Sequence, residues 1–292
     1  MERETRLQAR VPWVGLILAL ALVGCPGSEA DDDVSDDDDA GDDDVSGDDD
    51  SAGDDDTTSD DDATGDDDTT ASASCPPEMV LVDHEAARFC IDRWEARCDE
   101  IQDDGTLFPW SPYHAVEGVV VAAAAEDGAT PQAYISGEQA AEACLNGGKR
   151  LCESDEWLLA CRGPDEQIWP YGDTWVPGEC NDDYDGHPVI DYYGTDESWI
   201  WGYSEMNDPG INLQAGTLAP SGSHAGCVSA FGVYDLVGNL HEWVADAGGT
   251  FRGGYYVDVN LNGPGCTYVT TAHDPVYHDY STGFRCCADA ED

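Results

Sequence analysis

Three polar residues with side-chain oxygens, together with one glycine, interrupt one strongly apolar stretch of the sequence, FGVYDLVGNLHEWVAD at residues 231–246. These residues are Asp235, Gly238, Asn239 and Glu242. A glycine followed by an asparagine favours a sharp reversal with positive φ angles, and such a reversal turns carbonyls away from regular ladders. Two carboxylates seven residues apart, together with freed carbonyls, are the oxygen ligands that calcium prefers. The stretch therefore predicts a tight turn that feeds a buried strand, with either a calcium site or one buried ion pair.

A histidine in this stretch does not make it a zinc protease motif. His241 and Glu242 begin an H-E-x-x-H pattern, but Ala245 stands where the second histidine is required. The remaining histidines show no clustered spacing, so we expect them to be structural or exposed.

Eleven cysteines lie between Cys75 and Cys287, and this density predicts disulfide bonds in an exported chain. The odd number leaves at least one thiol free or paired with another chain, and the spacing does not give the pairing. No C-x-x-C spacing occurs, and Cys286 is poorly placed to bond with the adjacent Cys287, so a zinc site is not expected.

The first 25 residues have the form of an export signal. Three arginines within the first ten residues precede an apolar run at 11–23, as in a secretory signal, and this run is too short to span a bilayer. It ends in Leu-Val-Gly-Cys at Cys25, which resembles the lipid-attachment signal of bacterial lipoproteins. Residues 1–25 are therefore predicted to be a lipoprotein signal peptide, with Cys25 as the lipidated residue.

Residues 26–74 are dominated by aspartate. Aspartate triplets recur from Asp31 to Asp68, separated mostly by small residues. Such a segment cannot bury enough apolar surface to offset the entropy of ordering, and its charges repel one another. We expect residues 26–74 to be a disordered tether, because the glycine-rich pattern of calcium-binding repeats is absent. The folded domain is then formed by residues 75–292.

The predicted domain is itself strongly acidic. It contains 38 Asp and Glu residues against eight Lys and Arg residues, a formal net charge of −30. Such a charge repels phosphate backbones and excludes a nucleic-acid partner. Cationic partners, divalent ions or a saline habitat remain compatible with it.

Local patterns predict the elements that hold the central turn. Ser136 and Gln139 form a capping box for a helix that ends at the Gly147-Gly148 pair, and Ser154 is predicted to cap a second helix. Short strands are expected at 79–82, 89–91, 251–256 and 283–287. Residues 119–125 fit either a strand or a short helix.

Cations are scarce in the predicted domain, and three arginines next to its predicted helices and strands need partners. Arg150, Arg252 and Arg285 are therefore expected to pair with buried acids such as Glu156 and Glu242.

The ordered set of these motifs resembles the formylglycine-generating enzyme family, also called the sulfatase-modifying factor domain. The match covers about Cys75 to Cys287. It rests on MVLV at 79, FCIDRWEA at 89, ISGEQAAEAC at 135, GGKRLCESDEW at 147, ACRGP at 160, YGD at 171, GVYDLVGNLHEW at 232, RGG at 252 and GFRC at 283. The resemblance implies an α+β fold related to C-type lectins, with little regular secondary structure, stabilised here by disulfides.

The resemblance also implies bound Ca²⁺. In the family, the central turn holds calcium through two side chains and two carbonyls. Those positions in this sequence are Asp235, Glu242, Gly238 and Leu240. The start of a second family site matches Asn181 and the Asp182 carbonyl, and its remaining ligands have no aligned counterpart. Ca²⁺ is therefore the expected cofactor.

The catalytic positions depart from the family pattern. Active members bind copper with two cysteines, and the matching positions here are Asp258 and Gly263. Cys266 lies three residues further on and is a candidate displaced thiol, but one cysteine cannot supply the paired soft ligands of a Cu(I) site. An iron-dependent branch adds a helical domain with a histidine iron site, for which this sequence shows no counterpart. Copper and iron are therefore not expected, and Asp258 and Cys266 are the two catalytic candidates.

These observations predict a lipoprotein held at the membrane through Cys25, with a calcium-stabilised module that binds an unidentified protein, peptide or glycan. A purely structural envelope protein is a further possibility. Pro26 is not the aspartate associated with inner-membrane retention, so the outer membrane is the preferred location in the bacterial envelope. The alternative function is an active oxidoreductase of the same superfamily with metal ligands rearranged around Asp258, Cys266, His273 and His278.

Overall fold

A computed structural model of the protein describes residues 74–291. The predicted signal peptide 1–25 with its Cys25, and all but the last residue of the predicted tether 26–74, lie outside this range. Within residues 74–291, no helix has the length and apolar character needed to cross a bilayer.

The described chain is built from short elements, of which the longest has ten residues. The strands are β1 (Met79–His84), β2 (Ala87–Asp92), β3 (Ala96–Ile101), β4 (Leu107–Pro109), β5 (Val121–Ala125), β6 (Arg150–Leu151), β7 (His241–Val244), β8 (Thr250–Arg252), β9 (Val269–Thr270), β10 (Thr282–Phe284) and β11 (Cys286–Asp289). The helices are α1 (Gly137–Asn146), α2 (Ser154–Arg162), α3 (Pro188–Tyr193) and α4 (Tyr203–Met206), with 3-10 turns at Ser198–Trp201 and Gly265–Thr267. The predicted α+β class with little regular secondary structure is confirmed.

The strands form three small sheets. Their orders are β1-β2-β11-β6, β10-β7-β8-β9 and β4-β3-β5, and within the second sheet β10 and β7 run parallel. The second sheet positions the site, because β7 begins directly after the central turn. Its register sets Glu242 beside Gly283 on one side and Arg252 on the other.

The central stretch joins three apolar core clusters. Leu236 and Val237 belong to the first, Trp243 to the second and Leu240 to the third. These side chains are at most 1% exposed, and full burial of such a side chain stabilises a fold by roughly 1.5 to 3 kcal/mol. The turn and its strand are therefore fixed from several sides.

The two predicted helices form, with one correction at the start of α2. Ser136 and Gln139 make the predicted reciprocal capping box of α1. The predicted N-cap Ser154 is instead the first residue of α2, and Glu153 is the N-cap, where its N–H donates to the Glu156 carboxylate over 2.9 Å. The Ser154 hydroxyl accepts a hydrogen bond from Arg252 Nε over 2.8 Å instead of capping the helix.

The strand predictions hold with three refinements. The ambiguous segment 119–125 contains strand β5. The strand predicted at 251–256 ends at Arg252 because the next two glycines have φ angles of 83° and 71°, which an extended strand does not allow. The strand predicted at 283–287 is divided at Arg285 into β10 and β11, which belong to different sheets.

Five disulfides cross-link the described part of the chain, as the cysteine content predicts. They are Cys75–Cys90, Cys144–Cys286, Cys152–Cys287, Cys161–Cys266 and Cys180–Cys227. Neighbouring side chains on a strand point to opposite faces. Adjacent Cys286 and Cys287 of β11 can therefore bond to different partners, Cys144 in α1 and Cys152. Cys98 is the remaining described cysteine, and it is buried with a free thiol.

Candidate functional site

The predicted turn is present and packs against the loop around Asn181. Gly238 and Asn239 have φ angles of 80° and 52°. A Cβ at Gly238 would lie 2.3 Å from the Asn181 carbonyl oxygen, so the close approach requires glycine. The Asn239 N–H donates to the same oxygen over 2.8 Å, and the Gly238 N–H donates to the Gly253 carbonyl over 3.0 Å.

Glu242, at the second position of β7, makes a buried ion pair. Its two oxygens accept hydrogen bonds from Nη2 and Nε of Arg285 over 2.6 and 2.7 Å, and Trp157 Nε1 donates to it over 2.7 Å. Arg285 also donates to the backbone carbonyls of Asp92 and Tyr234. The prediction that Arg285 pairs with a buried acid is confirmed, with Glu242 as the acid, and both oxygens of Glu242 are engaged by protein donors.

Two further carboxylates are buried in the same cluster. Asp235 and Glu95 are 3% and 2% exposed. Asp235 Oδ2 accepts from the Gly222 N–H over 2.6 Å, and Glu95 Oε2 accepts from Asn239 Nδ2 over 2.6 Å. Glu95 Oε1 is buried without a hydrogen-bond partner in the described part of the chain. Buried oxygens of this kind need a proton, a donor or a cation.

The cluster carries more negative charge than its one guanidinium balances. Burial raises the pKa of Asp235 to about 6, and it raises the pKa of Glu95 well above its ordinary value. For Glu95 the charges of Asp235 and Glu242 add to the effect of burial, while the Arg285 charge opposes it. The surplus charge is met either by protons on these carboxyls or by a cation.

The donors around this surplus suit a hard divalent cation. The carboxylates of Glu95 and Asp235 border the turn to which the Gly238 and Leu240 carbonyls belong, and calcium takes six to eight such oxygens. Glu242 is committed to Arg285, so the free oxygen of Glu95 replaces it as the second available carboxylate. Within residues 74–291, no group of three or more His, Cys, Asp or Glu side chains is placed to hold a metal ion. Backbone oxygens must therefore contribute to any cation site here.

The structure joins Asn181, a residue of the predicted second site, to the central turn. Asn181 Nδ2 donates to Asn239 Oδ1 over 2.9 Å and to the Thr217 carbonyl over 2.8 Å. The Asp182 carboxylate holds its own loop by accepting from Trp175 Nε1 and from the Gly178 N–H. Asn181 therefore stabilises the central turn.

Both predicted catalytic candidates are engaged in structural contacts. The suggestion that Cys266 is a displaced thiol is wrong, because this residue is bonded to Cys161 and fully buried. Asp258 stabilises its own turn: Oδ1 accepts from the N–H groups of Asn260 and Leu261. Oδ2 of Asp258 accepts from the hydroxyl of Tyr268 over 3.3 Å.

His273 and His278, which the alternative oxidoreductase would use as metal ligands, also have structural environments. Nε2 of His278 is 2.6 Å from the Tyr203 hydroxyl, and Nδ1 is 2.7 Å from Asn207 Oδ1. The His273 ring stacks on Tyr277 with centroids 3.9 Å apart. No described thiol accompanies them, since Cys98 is buried in β3 and burial raises the pKa of its thiol.

Sequence reasoning missed Glu95 as a site residue. The residue lies 144 positions before Asn239, its hydrogen-bond partner, and short-range spacing gives no sign of such a contact. The sequence does hold one indication, because Glu95 stands between Trp94 and Ala96, the first residue of β3. A carboxylate between two apolar residues is expected to be buried, and a buried acid needs a partner.

The chain matches a known family model and related curated proteins. The model is the sulfatase-modifying factor enzyme 1-like domain, matched over residues 93–290. The inactive C-alpha-formylglycine-generating enzyme 2 of Bos taurus is 30% identical over 116 residues, which covers 39% of this chain and 32% of that protein. Its namesake in Mus musculus is 26% identical over 171 residues, covering 55% of this chain and 49% of that protein. The chain thus spans about half the length of these relatives or less.

Solved structures also resemble the chain over part of its length. CarF aligns with a TM-score of 0.40 and 16% identity, covering 72% of this chain and 89% of that chain. The major tropism determinant I1 variant aligns with a TM-score of 0.39 and 15% identity, covering 75% of this chain and 54% of that chain.

The family-model match includes the central turn, β7, both catalytic candidates and Arg285. This chain belongs to the sulfatase-modifying factor enzyme 1-like domain family.

Proposed function

We propose that the protein is a calcium-stabilised binding module without oxidase activity, carried on a lipid-anchored chain of the bacterial envelope. The observation that carries the proposal is the surplus of buried carboxylate charge around Arg285, with the unpartnered Oε1 of Glu95. Glu95 and Asp235, helped by the Gly238 and Leu240 carbonyls, would hold the ion. The bound ion supplies charge neutralisation, which removes the penalty of burying unpaired carboxylates.

The proposed absence of oxidase activity is supported by the state of Cys266, the candidate thiol. Cys266 is held in a disulfide, and the two family copper positions are occupied by Asp258 and Gly263. Residues 74–291 therefore contain no pair of free thiols for Cu(I). The relatives named inactive C-alpha-formylglycine-generating enzyme 2 agree with this proposal.

The proposed location rests on the amino-terminal sequence. Lipid on Cys25 would hold the chain at the membrane, with the outer membrane preferred. The tether would let the module reach a protein, peptide or glycan ligand away from the lipid surface.

Purified protein incubated with copper, oxygen and a cysteine-containing sulfatase peptide is expected to leave the peptide unchanged. The reason is the lack of paired thiolates among the described residues. Mass spectrometry of the peptide is the readout, with an active enzyme of the family as the positive control. Formation of a formylglycine peptide that is lost in an Asp258→Ala variant would instead establish the rearranged oxidoreductase.

Metal-free protein is expected to lose stability as the pH rises from about 4 to about 6. The pKa of Asp235 is raised from 3.8 to about 6, so in this interval the folded state holds a proton that the unfolded state has released. This stabilisation is fully present below the unfolded pKa and is lost as pH rises through the folded pKa. The loss due to Asp235 is on the order of 3 kcal/mol.

Urea unfolding across this pH range, in chelator, measures the effect as the difference between wild type and Asp235→Asn. The amide variant keeps the size of the side chain but cannot titrate, so its profile should lack this component. Parallel profiles for the two proteins would show that Asp235 has no raised pKa in the folded state.

A further inference from the structure

A surface pocket lies directly against the carboxylate cluster. Its volume of about 390 Å³ falls within the range of small-molecule sites. It is lined by Arg93, Trp94, Asp127, Gly222, Ala225 and Tyr234. The pocket thus combines one cation, two aromatic rings and one carboxylate.

Arg93 lies in this pocket beside a carbonyl and an aromatic ring. One of its nitrogens donates to the Gly232 carbonyl over 3.3 Å, and its guanidinium lies 5.7 Å from the Trp94 ring centroid. No carboxylate among residues 74–291 forms an ion pair with it, whereas Lys149 and Arg285 each pair with a buried acid. In a domain with 38 acidic side chains, an arginine left unpaired in a pocket offers a position for the anionic group of a ligand.

The floor of the pocket depends on a glycine. Gly222 has a φ angle of 77°, and a Cβ there would lie 2.8 Å from Asp127 Oδ1 and 3.2 Å from Trp94 Nε1. A side chain at this position would therefore crowd both polar groups. With glycine, an acceptor carboxylate and an indole N–H donor face the same space.

We propose that this pocket binds a small acidic sugar of the uronate class. Arg93 would pair with the sugar carboxylate, Trp94 would pack against the C–H face of the ring, and Asp127 would accept hydrogen bonds from ring hydroxyls. The Asp127 carboxylate and the domain's net charge of −30 both repel polyanions. A ligand with a single negative charge and several hydroxyl donors is therefore the best fit. The assignment rests on the proposed role as a binding module and specifies its ligand.

The pocket wall shares its backbone with the proposed calcium site. The Gly222 N–H donates to Asp235 Oδ2, and the Tyr234 carbonyl accepts from Arg285 Nη2 over 2.9 Å. The Tyr234 N–H donates in turn to the Arg93 carbonyl over 2.9 Å. Because these contacts fix the position of the lining residues, sugar binding is expected to weaken when calcium is removed.

Calorimetric titration of the purified exported protein with glucuronate, in calcium, tests the assignment. Glucuronate should bind saturably, while glucose and cyclohexanecarboxylate should bind at least tenfold more weakly, since each lacks one of the two recognised features. Arg93→Met should weaken glucuronate binding by about ten- to a hundredfold, the usual contribution of a charge-assisted pair. Arg162→Met, which alters an arginine in a different surface pocket, should leave the affinity unchanged.

Absence of glucuronate binding, or equal binding by the Arg93→Met variant, would overturn the assignment. Equal affinity for glucose would show that the carboxylate is not recognised and would also overturn it. The melting temperature of the same samples with and without calcium separates the two proposals. Stabilisation by calcium without sugar binding refutes the sugar site alone, and sugar binding without any calcium effect refutes the calcium site alone.

Discussion

Replacing Arg285 with methionine is expected to destabilise the protein by roughly 3 to 5 kcal/mol, the usual loss when one partner of a buried ion pair is removed. Arg285 is fully buried and donates to both oxygens of Glu242. Its removal leaves Glu95, Asp235 and Glu242 without their shared counter-charge. For a domain of this size the expected fall in melting temperature is about 6 to 20 °C.

Arg150→Met is the matched control for this prediction. Arg150 also makes two short hydrogen bonds to a carboxylate, that of Glu156, but its side chain is one-third exposed. Replacing it should therefore lower the free energy of unfolding by less than about 1 kcal/mol. Chemical unfolding of both variants measures the difference. Adding Glu242→Gln to Arg285→Met should recover part of the lost stability. Equal effects of the two arginine substitutions would contradict a special role for the buried cluster.

Calcium at a hundred times its dissociation constant is expected to stabilise the chelator-treated protein by about 2.7 kcal/mol, because the ion binds the folded state alone. This corresponds to a rise in melting temperature of roughly 5 to 11 °C. Magnesium should be less effective, since it demands near-ideal octahedral geometry and gives up its water reluctantly. Thermal unfolding at pH 7.5, where the Asp235 carboxyl is ionised, measures both responses.

Substitutions identify the residues responsible for this response. Glu95→Gln and Asp235→Asn should each remove most of the calcium response, because each deletes one of the two available carboxylates. Asp258→Asn should retain it, since that carboxylate only stabilises its own turn and accepts from Tyr268. A calcium response that survives in Glu95→Gln but disappears in Asp258→Asn would place the ion near Asp258, away from the central turn.

Local signals in the sequence were sufficient for several parts of the fold. The capping box at Ser136 and Gln139 satisfies neighbouring backbone groups, so it is recognisable from four residues. The turn at Gly238 and Asn239 is marked by the two residue types that tolerate positive φ angles. The scarcity of cations in an acidic domain likewise indicates that Arg285 pairs with a buried acid, although it does not single out Glu242.

Long-range contacts set the limit of sequence-based prediction here. The disulfide between Cys161 and Cys266 joins residues 105 positions apart, and nothing in their spacing distinguishes this pairing from the alternatives. For that reason Cys266 could be taken for a free thiol. Glu95 and Asn181 reach the central turn through contacts across 144 and 58 positions, so these contacts become visible only in three dimensions.

The family resemblance supplied the region of the proposed calcium site, and the structure shows which carboxylates are available there. The resemblance placed calcium between Asp235 and Glu242. In the structure Glu242 is saturated by Arg285 and Trp157, and the oxygen without a partner belongs to Glu95. For this reason Glu95, and not Glu242, is the second carboxylate of the proposed site.

Calorimetric titration of calcium into the chelator-treated protein at pH 7.5 is the most direct test of a cation held by Glu95 and Asp235. We predict saturable binding of one calcium ion per chain in the wild type, and no saturable binding in the Glu95→Gln, Asp235→Asn double variant. Absence of saturable heat in the wild type, or unchanged binding in a folded double variant, would contradict the proposed site.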